Sequence, residues 1–355
     1  MRNRLTVVGI VIIYSAAALA SSGKSSSQQP SANHDYPPAG RLADIGGYKL
    51  HISCAGAGSP AVIFISGAGD FSFDWSLVQP AASRFSEVCS YDRAGLAWSD
   101  LGPVPRTMRQ DAYELHLLLK KAGVRPPFIL VGHSIGGLIS RVYAARYPGE
   151  VAGMLLVDPT HEDTTLMYQG KIVRVRDGAK GRKIPSPQTM KSSSPRPPTE
   201  DDIKQQELNR RVFGPPKIEP PFDKLPAEIQ RIRLWALSNP KLFAATDDYW
   251  AEELQQMHMQ SSAKKFPLGN RPLIVLIPAV KEGEAPPQGV SAEEWSRINE
   301  EKRKQKLGLA RLSRNSKVII AKESGHHIQL DAPALVINAI REVVDAARKG
   351  KRLSP

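Results

Sequence analysis

Residues 128–151 read FILVGHSIGGLISRVYAARYPGEV. Four apolar residues, Phe128 to Val131, run without a break into Gly132-His133-Ser134-Ile135-Gly136-Gly137, and a helical pattern follows over 137–148. A continuous apolar run suits a strand covered on both faces. A strand that leads straight into a helix suits a parallel sheet with helical crossovers. The join leaves no room for a loop. It must be a tight turn, and glycines flanking Ser134 remove side chains that would strike the neighbouring strand and helix.

The same alternation recurs along the chain. Residues 41–60 read as a hairpin turning at Gly46-Gly47, and 61-AVIFISGAGD-70 as a buried strand entering a glycine-rich turn. Residues 86–100 hold a further strand and then a loop. A helix is expected over 107–123, capped by Thr107, ended by Gly123 and buried through Leu115, Leu118 and Leu119. Met154–Val157, 272-PLIVLIP-278 and 317-KVIIA-321 read as strands, and 333–349 as a long amphipathic helix. The fold class is therefore α/β, with a mostly parallel central sheet and helices on both faces. The alternation stops between about 160 and 270, where 226–240 and 247–260 read as helices. The expected organisation is a first core part over 41–159, an inserted helical cap over 160–269, a second core part over 270–349 and a tail over 350–355.

The N-terminus speaks of destination more than fold. Arg2 and Arg4 precede an apolar or small-residue run from Leu5 to Leu19, and Ala18-Leu19-Ala20 precedes Ser21-Ser22. That is the pattern of a cleavable export signal over 1–20, or of an N-terminal anchor where it is retained. Residues 21–40, rich in Ser, Gln and Pro, read as a flexible linker. The expected location is periplasmic or extracellular. Two cysteines, Cys54 and Cys89, permit one disulfide in an exported chain, or stand as two buried thiols.

The net charge is +13, and residues 171–196 carry eight Lys/Arg against one acid, Asp177. Such a run is either a solvated loop or a weak contact with an anionic surface, such as membrane headgroups or cell-wall polymers. Nucleic acid is not indicated, because no recognition motif appears and the charge is not interleaved with stacking aromatics. No cofactor is called for. The histidines lack metal-ligand spacing, and the cysteines form no Cys-x-x-Cys pair.

The chemistry centres on Ser134. A bare Gly-x-Ser-x-Gly is a weak signal, but here a strand stands directly before it and a helix directly after. The helix aims free N–H groups at the serine, which suits a reaction that makes an oxygen negative. Serine needs a base. His326 follows Gly325 in 321-AKESGHHIQLDAP-333, just past the last strand; His327 is the alternative, or an orienting or surface residue. His133 is expected to pack in the turn, and His161 lies near the entrance to the cap. The base needs an acid. Asp158 ends the strand Met154–Val157; Glu282, Glu284 and Asp163 are the alternatives. Two backbone donors are expected for an oxyanion, the N–H of Ile135 and that of Ala68 in Ser66-Gly67-Ala68-Gly69. In the cap, Trp235 and Trp250, with Tyr249, Met257 and Met259, either line an acyl pocket or pack the cap onto the core.

Gly56-Ala57-Gly58, Ser66-Gly67-Ala68-Gly69, 91-YDRAGLAWSD-100, 132-GHSIGG-137 and 325-GHHIQLDAP-333 together resemble the α/β-hydrolase superfamily, in its capped single-domain serine hydrolase branch. The order nucleophile, acid, histidine is similar too. The resemblance covers about 41–165 and 270–349 and implies an α/β-hydrolase fold without a cofactor, acting on a small acyl substrate. It implies catalytic Ser134, His326 and Asp158, with Asp158 matching the members that place the acid one strand early. It also implies that the strands of Cys54 and Cys89 are neighbours, and that Asp92 and Arg93 fix a loop. Ser66 departs from the His that many relatives carry. A serine at 134 is unlike the carboxylate nucleophile of epoxide- and haloalkane-cleaving relatives. The activity implied is ester hydrolysis through an acyl-enzyme. Amide, thioester or lactone hydrolysis and perhydrolysis use the same groups, and a non-catalytic binding protein on this scaffold is the contrasting class.

Overall fold

The computed structural model describes residues 36–168, 171–190, 197–244, 249–263, 267–279, 286 and 290–354. The expected export signal and most of the linker lie outside the described residues, as do Glu282 and Glu284. Among the described residues no helix is long and apolar enough to cross a membrane.

The first core part runs β1 (Arg41–Asp44), β2 (Lys49–Ala55), β3 (Ala61–Ile65), α1 (Gln79–Ala82), β4 (Val88–Tyr91), α2 (Met108–Lys121), β5 (Phe128–His133), α3 (Ile135–Arg146) and β6 (Val151–Val157). The inserted stretch forms a hairpin of β7 (Thr165–Tyr168) and β8 (Lys171–Arg174). The helices α4 (Glu200–Phe213), α5 (Ala227–Leu237), α6 (Lys241–Ala244) and α7 (Trp250–Ala263) follow. The chain then returns through β9 (Pro272–Pro278), α8 (Ala292–Gly308), β10 (Asn315–Ala321), α9 (Ile328–Asp331) and α10 (Pro333–Lys349).

Eight strands form one sheet in the order β1-β2-β4-β3-β5-β6-β9-β10. β1 and β2 pair antiparallel, as do β2 and β4; every other neighbouring pair is parallel. Strand alternation divides the core in two. On one face Ile63, Ile65, Leu130 and Leu156 meet Leu115, Leu118 and Leu119 of α2 and Leu138 and Ile139 of α3. On the other, Val62, Phe64, Val131 and Leu155 meet α10 through Val336, Ala339, Ile340, Val343 and Val344. That spacing is a single helical stripe, and Pro333 opens α10 at a position where proline costs nothing.

β3 pairs with β4 on one side and β5 on the other. The chain reverses its direction of travel across the sheet there, which leaves a crevice at the carboxyl ends of β3 and β5. Ser66–Asp70 leaves β3 at this point and Ser134 leaves β5. The insertion departs and returns between the neighbouring strands β6 and β9.

Two long helices went unanticipated, α4 and α8, as did the four-residue helices α1, α6 and α9 and the β7–β8 hairpin. Part of the basic stretch 171–196 is that hairpin, and the stretch's described arginines are paired with acids: Arg174 with Glu301, Arg176 with Asp163 and Arg182 with Glu252. Residues 191–196 lie outside the described residues.

Cys54 and Cys89 face each other in the β2–β4 ladder and are joined by a disulfide spanning 35 residues of sequence. A crosslink closing a loop of that length constrains the unfolded chain by about 3–4 kcal/mol. Urea unfolding of the oxidised protein beside the Cys54→Ala/Cys89→Ala pair measures this. Equal midpoints would mean that the bridge is not formed in solution.

Candidate active site

Ser134 has φ 53° and ψ −122°, a backbone conformation that side-chain-bearing residues rarely adopt. Its surroundings hold it there. The Ser134 N–H donates to the Val157 carbonyl at 3.1 Å, while the Ser134 carbonyl accepts from Gly137 and Thr160 at 3.0 Å each. A Cβ on Gly132 would lie 2.4 Å from the Gly136 carbonyl oxygen, and one on Gly136 2.1 Å from that of Ile65. The glycines are needed because β3, β5 and α3 meet backbone to backbone. α3 begins at Ile135, two residues earlier than its sequence pattern suggests, with Ser134 as the residue that caps it.

His326 lies between β10 and α9. The Gly325 N–H donates to Asp331 at 2.7 Å and shapes that loop. His326 Nδ1 is 2.6 Å from Asp158 Oδ2. Asp158, at the end of β6, is buried with φ 38°, and its N–H donates to Leu276 of β9 at 2.8 Å. Its other oxygen, Oδ1, is 2.5 Å from Lys306 Nζ on α8. Burial works to raise the Asp158 carboxyl, but Lys306 and His326 together hold it well below the usual carboxylate range. Burial is also the main cause that pushes the His326 imidazole down to about 4; the Asp158 hydrogen bond opposes it, and His133 and His327 add to it. With Nδ1 donating to Asp158, Nε2 is the acceptor nitrogen of the ring.

The turn after β3 is held from below. Arg93 donates to the carbonyls of Ser66 at 2.5 Å and Gly67 at 2.9 Å. A trans peptide points its N–H opposite its carbonyl, so the N–H of Ala68 faces away from Arg93. Gly67 packs against the serine: a Cβ there would lie 3.2 Å from Ser134 Cβ. Asp92 accepts from the Ser72 N–H at 2.7 Å and lies 2.8 Å from His51, fixing the neighbouring loop.

A second network beside this site has no counterpart in the sequence reading. His133 is not merely packed in the turn: its Nδ1 is 2.9 Å from Asp70 Oδ2, and its Nε2 donates to the His326 carbonyl at 3.0 Å. It ties the turn after β3 to the loop that carries His326. His327 Nε2 lies 3.5 Å from Asp70 Oδ1, and Arg233 of α5 lies 3.6 Å from that same oxygen. Arg233 also pairs with Asp74 and lies over the Phe222 ring at 3.4 Å. Burial works to lower the His327 imidazole, but Asp70 outweighs it and raises it above its usual value. Burial and the charge of Asp70 push the Asp74 carboxyl up to about 6 against the pull of Arg233. Asp70, His133 and His327 also converge closely enough to hold a metal ion. Arg233 already supplies a cation beside Asp70, and each Asp70 oxygen already faces a nitrogen.

The inserted stretch covers this end of the sheet. Phe222 meets His327 edge-on at 4.6 Å between ring centroids. Trp235 packs with Trp98 at 5.8 Å and Tyr36 at 6.1 Å in a cluster that joins α5 to the core. Trp250 packs against the larger core cluster, Met257 is buried, and Met259 is 56% exposed. His161 accepts from the Asp163 N–H at 3.0 Å, and burial lowers its imidazole.

A family model described as the alpha/beta hydrolase family matches residues 62–339. The protein YqjL of Bacillus subtilis, described as uncharacterized, is 24% identical over 292 residues, covering 82% of this chain and 86% of that protein. A thermophilic esterase from Thermogutta terrifontis has a similar fold, with TM-score 0.54 and 20% identity over 84% of this chain and 94% of that one. The enol-lactonase from Burkholderia xenovorans LB400 does too, with TM-score 0.54 and 14% identity over 86% of this chain and all of that one. The chain, with its mostly parallel sheet and its serine on a strained strand-to-helix turn, belongs to the alpha/beta hydrolase family.

Proposed function

We propose that this chain is a serine hydrolase that cleaves an ester through an acyl-enzyme. The observation that carries the reading is the 2.6 Å contact of His326 Nδ1 with Asp158, at the same sheet edge as the strained Ser134. Ser134 Oγ attacks the carbonyl carbon, and His326 Nε2 takes the serine proton. The carbonyl oxygen becomes an anion facing the N–H groups of Ile135 and Ala68. Collapse breaks the ester C–O bond, and His326 returns the proton to the leaving alcohol. Water repeats the cycle on the acyl-enzyme and frees Ser134. Asp158 keeps the proton of His326 on Nδ1 and supports the imidazolium while it exists.

The carboxylate of Asp158 supports this part, since it accepts from His326 and lies buried beyond reach of substrate. Serine at the turn speaks against epoxide opening, which needs a carboxylate nucleophile there. Phe222, which meets His327 edge-on, is the residue of the insertion assigned here to face an acyl group. A lactone is an internal ester and suits the same groups.

A fluorophosphonate probe tests the reading. One mass adduct is expected on residues 21–355, absent from Ser134→Ala, with hydrolysis of at least one p-nitrophenyl ester lost in the same variant. Folded protein that takes no adduct would favour a binding protein on a hydrolase scaffold.

A further inference from the structure

Asp158 holds two partners where an orienting acid needs one. Among the described residues its carboxylate is shared between His326 on Oδ2 and Lys306 on Oδ1, at 2.6 and 2.5 Å. No backbone N–H of the described residues donates to either oxygen. A carboxylate 3% exposed cannot sit there uncompensated, and one hydrogen bond to a neutral imidazole is thin compensation. Lys306 supplies the rest, and it comes from 148 residues further along the chain.

We infer that Lys306 is a positioning residue: it pins the outer oxygen of Asp158, so that the inner oxygen stays aimed at His326 Nδ1, and its charge sets how strongly Asp158 supports the protonated base. The inference rests on the Ser134–His326–Asp158 reading. Lys306 lies in the last turn of α8, the crossover between β9 and β10. The same helix holds the segment that leads into the inserted hairpin. Gln305 donates to the Asp163 carbonyl at 3.0 Å, and Glu301 pairs with Arg174 of β8. One helix end thus fastens both the acid and the start of the insertion.

The charge effect has a definite sign. A carboxylate facing only His326 would favour the imidazolium fully. Lys306 on the far oxygen offsets part of that negative charge and leaves the base easier to deprotonate. Other titratable groups near His326 among the described residues include His133 of β5 at 4.7 Å and His327 at 5.1 Å between ring centroids, with Asp70 and Arg233 behind them. None of these touches Asp158, so removing Lys306 isolates its contribution.

The test compares the full chain with Lys306→Met, Lys306→Gln and Lys306→Arg. Two readouts are followed against pH: the rate of fluorophosphonate adduct formation, and the His326 ring signals by NMR. Met and Gln are expected to slow the reaction about tenfold and to raise the acid-side midpoint and the His326 titration by about one pH unit. Arg, which keeps the charge, is expected to restore the midpoint. Lys306→Gln stands in should the Met variant fail to fold. A folded Met or Gln variant whose His326 titrates as in the wild type would overturn the inference. Absence of any adduct on the wild-type protein would instead overturn the hydrolase reading. In that case the NMR titration still decides whether Lys306 acts on His326.

Discussion

Asp158→Asn is expected to lower turnover on the order of 10⁴-fold in a protein that still folds, with a lowered melting temperature because Lys306 loses its charge partner. The size of the effect comes from the second partner. An asparagine there must satisfy Lys306, which has only hydrogens to offer, so its carbonyl oxygen turns toward Lys306 Nζ. The amide NH₂ then faces His326 Nδ1. The imidazole must place its lone pair on Nδ1 and its proton on Nε2, the nitrogen that should accept from Ser134. The ring stays in position but in the wrong tautomer. The measurement is kcat on the best ester from the panel, with circular dichroism to show that the fold is kept. Turnover within tenfold of the wild type would remove Asp158 from the mechanism. Glu282→Gln and Glu284→Gln, which follow β9 in the sequence, would then be the next variants to measure.

What could be read from the sequence was whatever depends on neighbours along the chain. The apolar runs of β3 and β5 are fully buried strands, and those of β6 and β9 are buried in all but one residue each, and their composition shows it. Around Ser134 only part of the glycine crowding is local: Gly132 meets its own turn at Gly136, whereas Gly136 meets Ile65 of the distant β3, so the pattern was legible and that contact was not. The two long missed helices, α4 and α8, have weak apolar signals for a physical reason. α8 buries only Ile298, and α4 buries none of its residues, so no stripe marks them. Their start signals were present: Thr199 with Asp202 and Ser291 with Glu294 are reciprocal caps.

The ion pairs were the least legible part. Nothing near Lys306 in sequence speaks of Asp158, and nothing near Arg233 speaks of Asp70 or Asp74. Charged residues on a polar helix read as a solvated face until the sheet order places their partners. The aromatic residues of the insertion show the same limit. Composition could not tell Trp235, which docks α5 on Trp98 and Tyr36, from Phe222, which meets His327.

Gly136→Ala tests whether the serine turn is as tightly built as the structure has it. In an ordinary helix this change would stabilise by about 1 kcal/mol. Here the new methyl would stand 2.1 Å from the Ile65 carbonyl oxygen, 2.8 Å from its carbon and 3.0 Å from the Ser66 oxygen. All three are backbone atoms, and no rotamer relieves them. β3 and α3 must part by about 1 Å to restore ordinary contact, and overpacking of that kind costs about 1–3 kcal/mol, so the clash outweighs the helix preference. The displacement falls between Ser134 and the turn that begins at Ser66, so it separates Ser134 from the N–H of Ala68. A misplacement of about 1 Å at such a point costs on the order of 10²-fold in rate. The expected outcome is a lower melting temperature together with fluorophosphonate labelling slowed about a hundredfold. Gly149→Ala is the control, because a Cβ there meets nothing within 4 Å. If Gly136→Ala labels as fast as the control, β3 and α3 do not approach this closely in solution, and the Ile135 and Ala68 N–H groups lose their claim to a shared oxyanion.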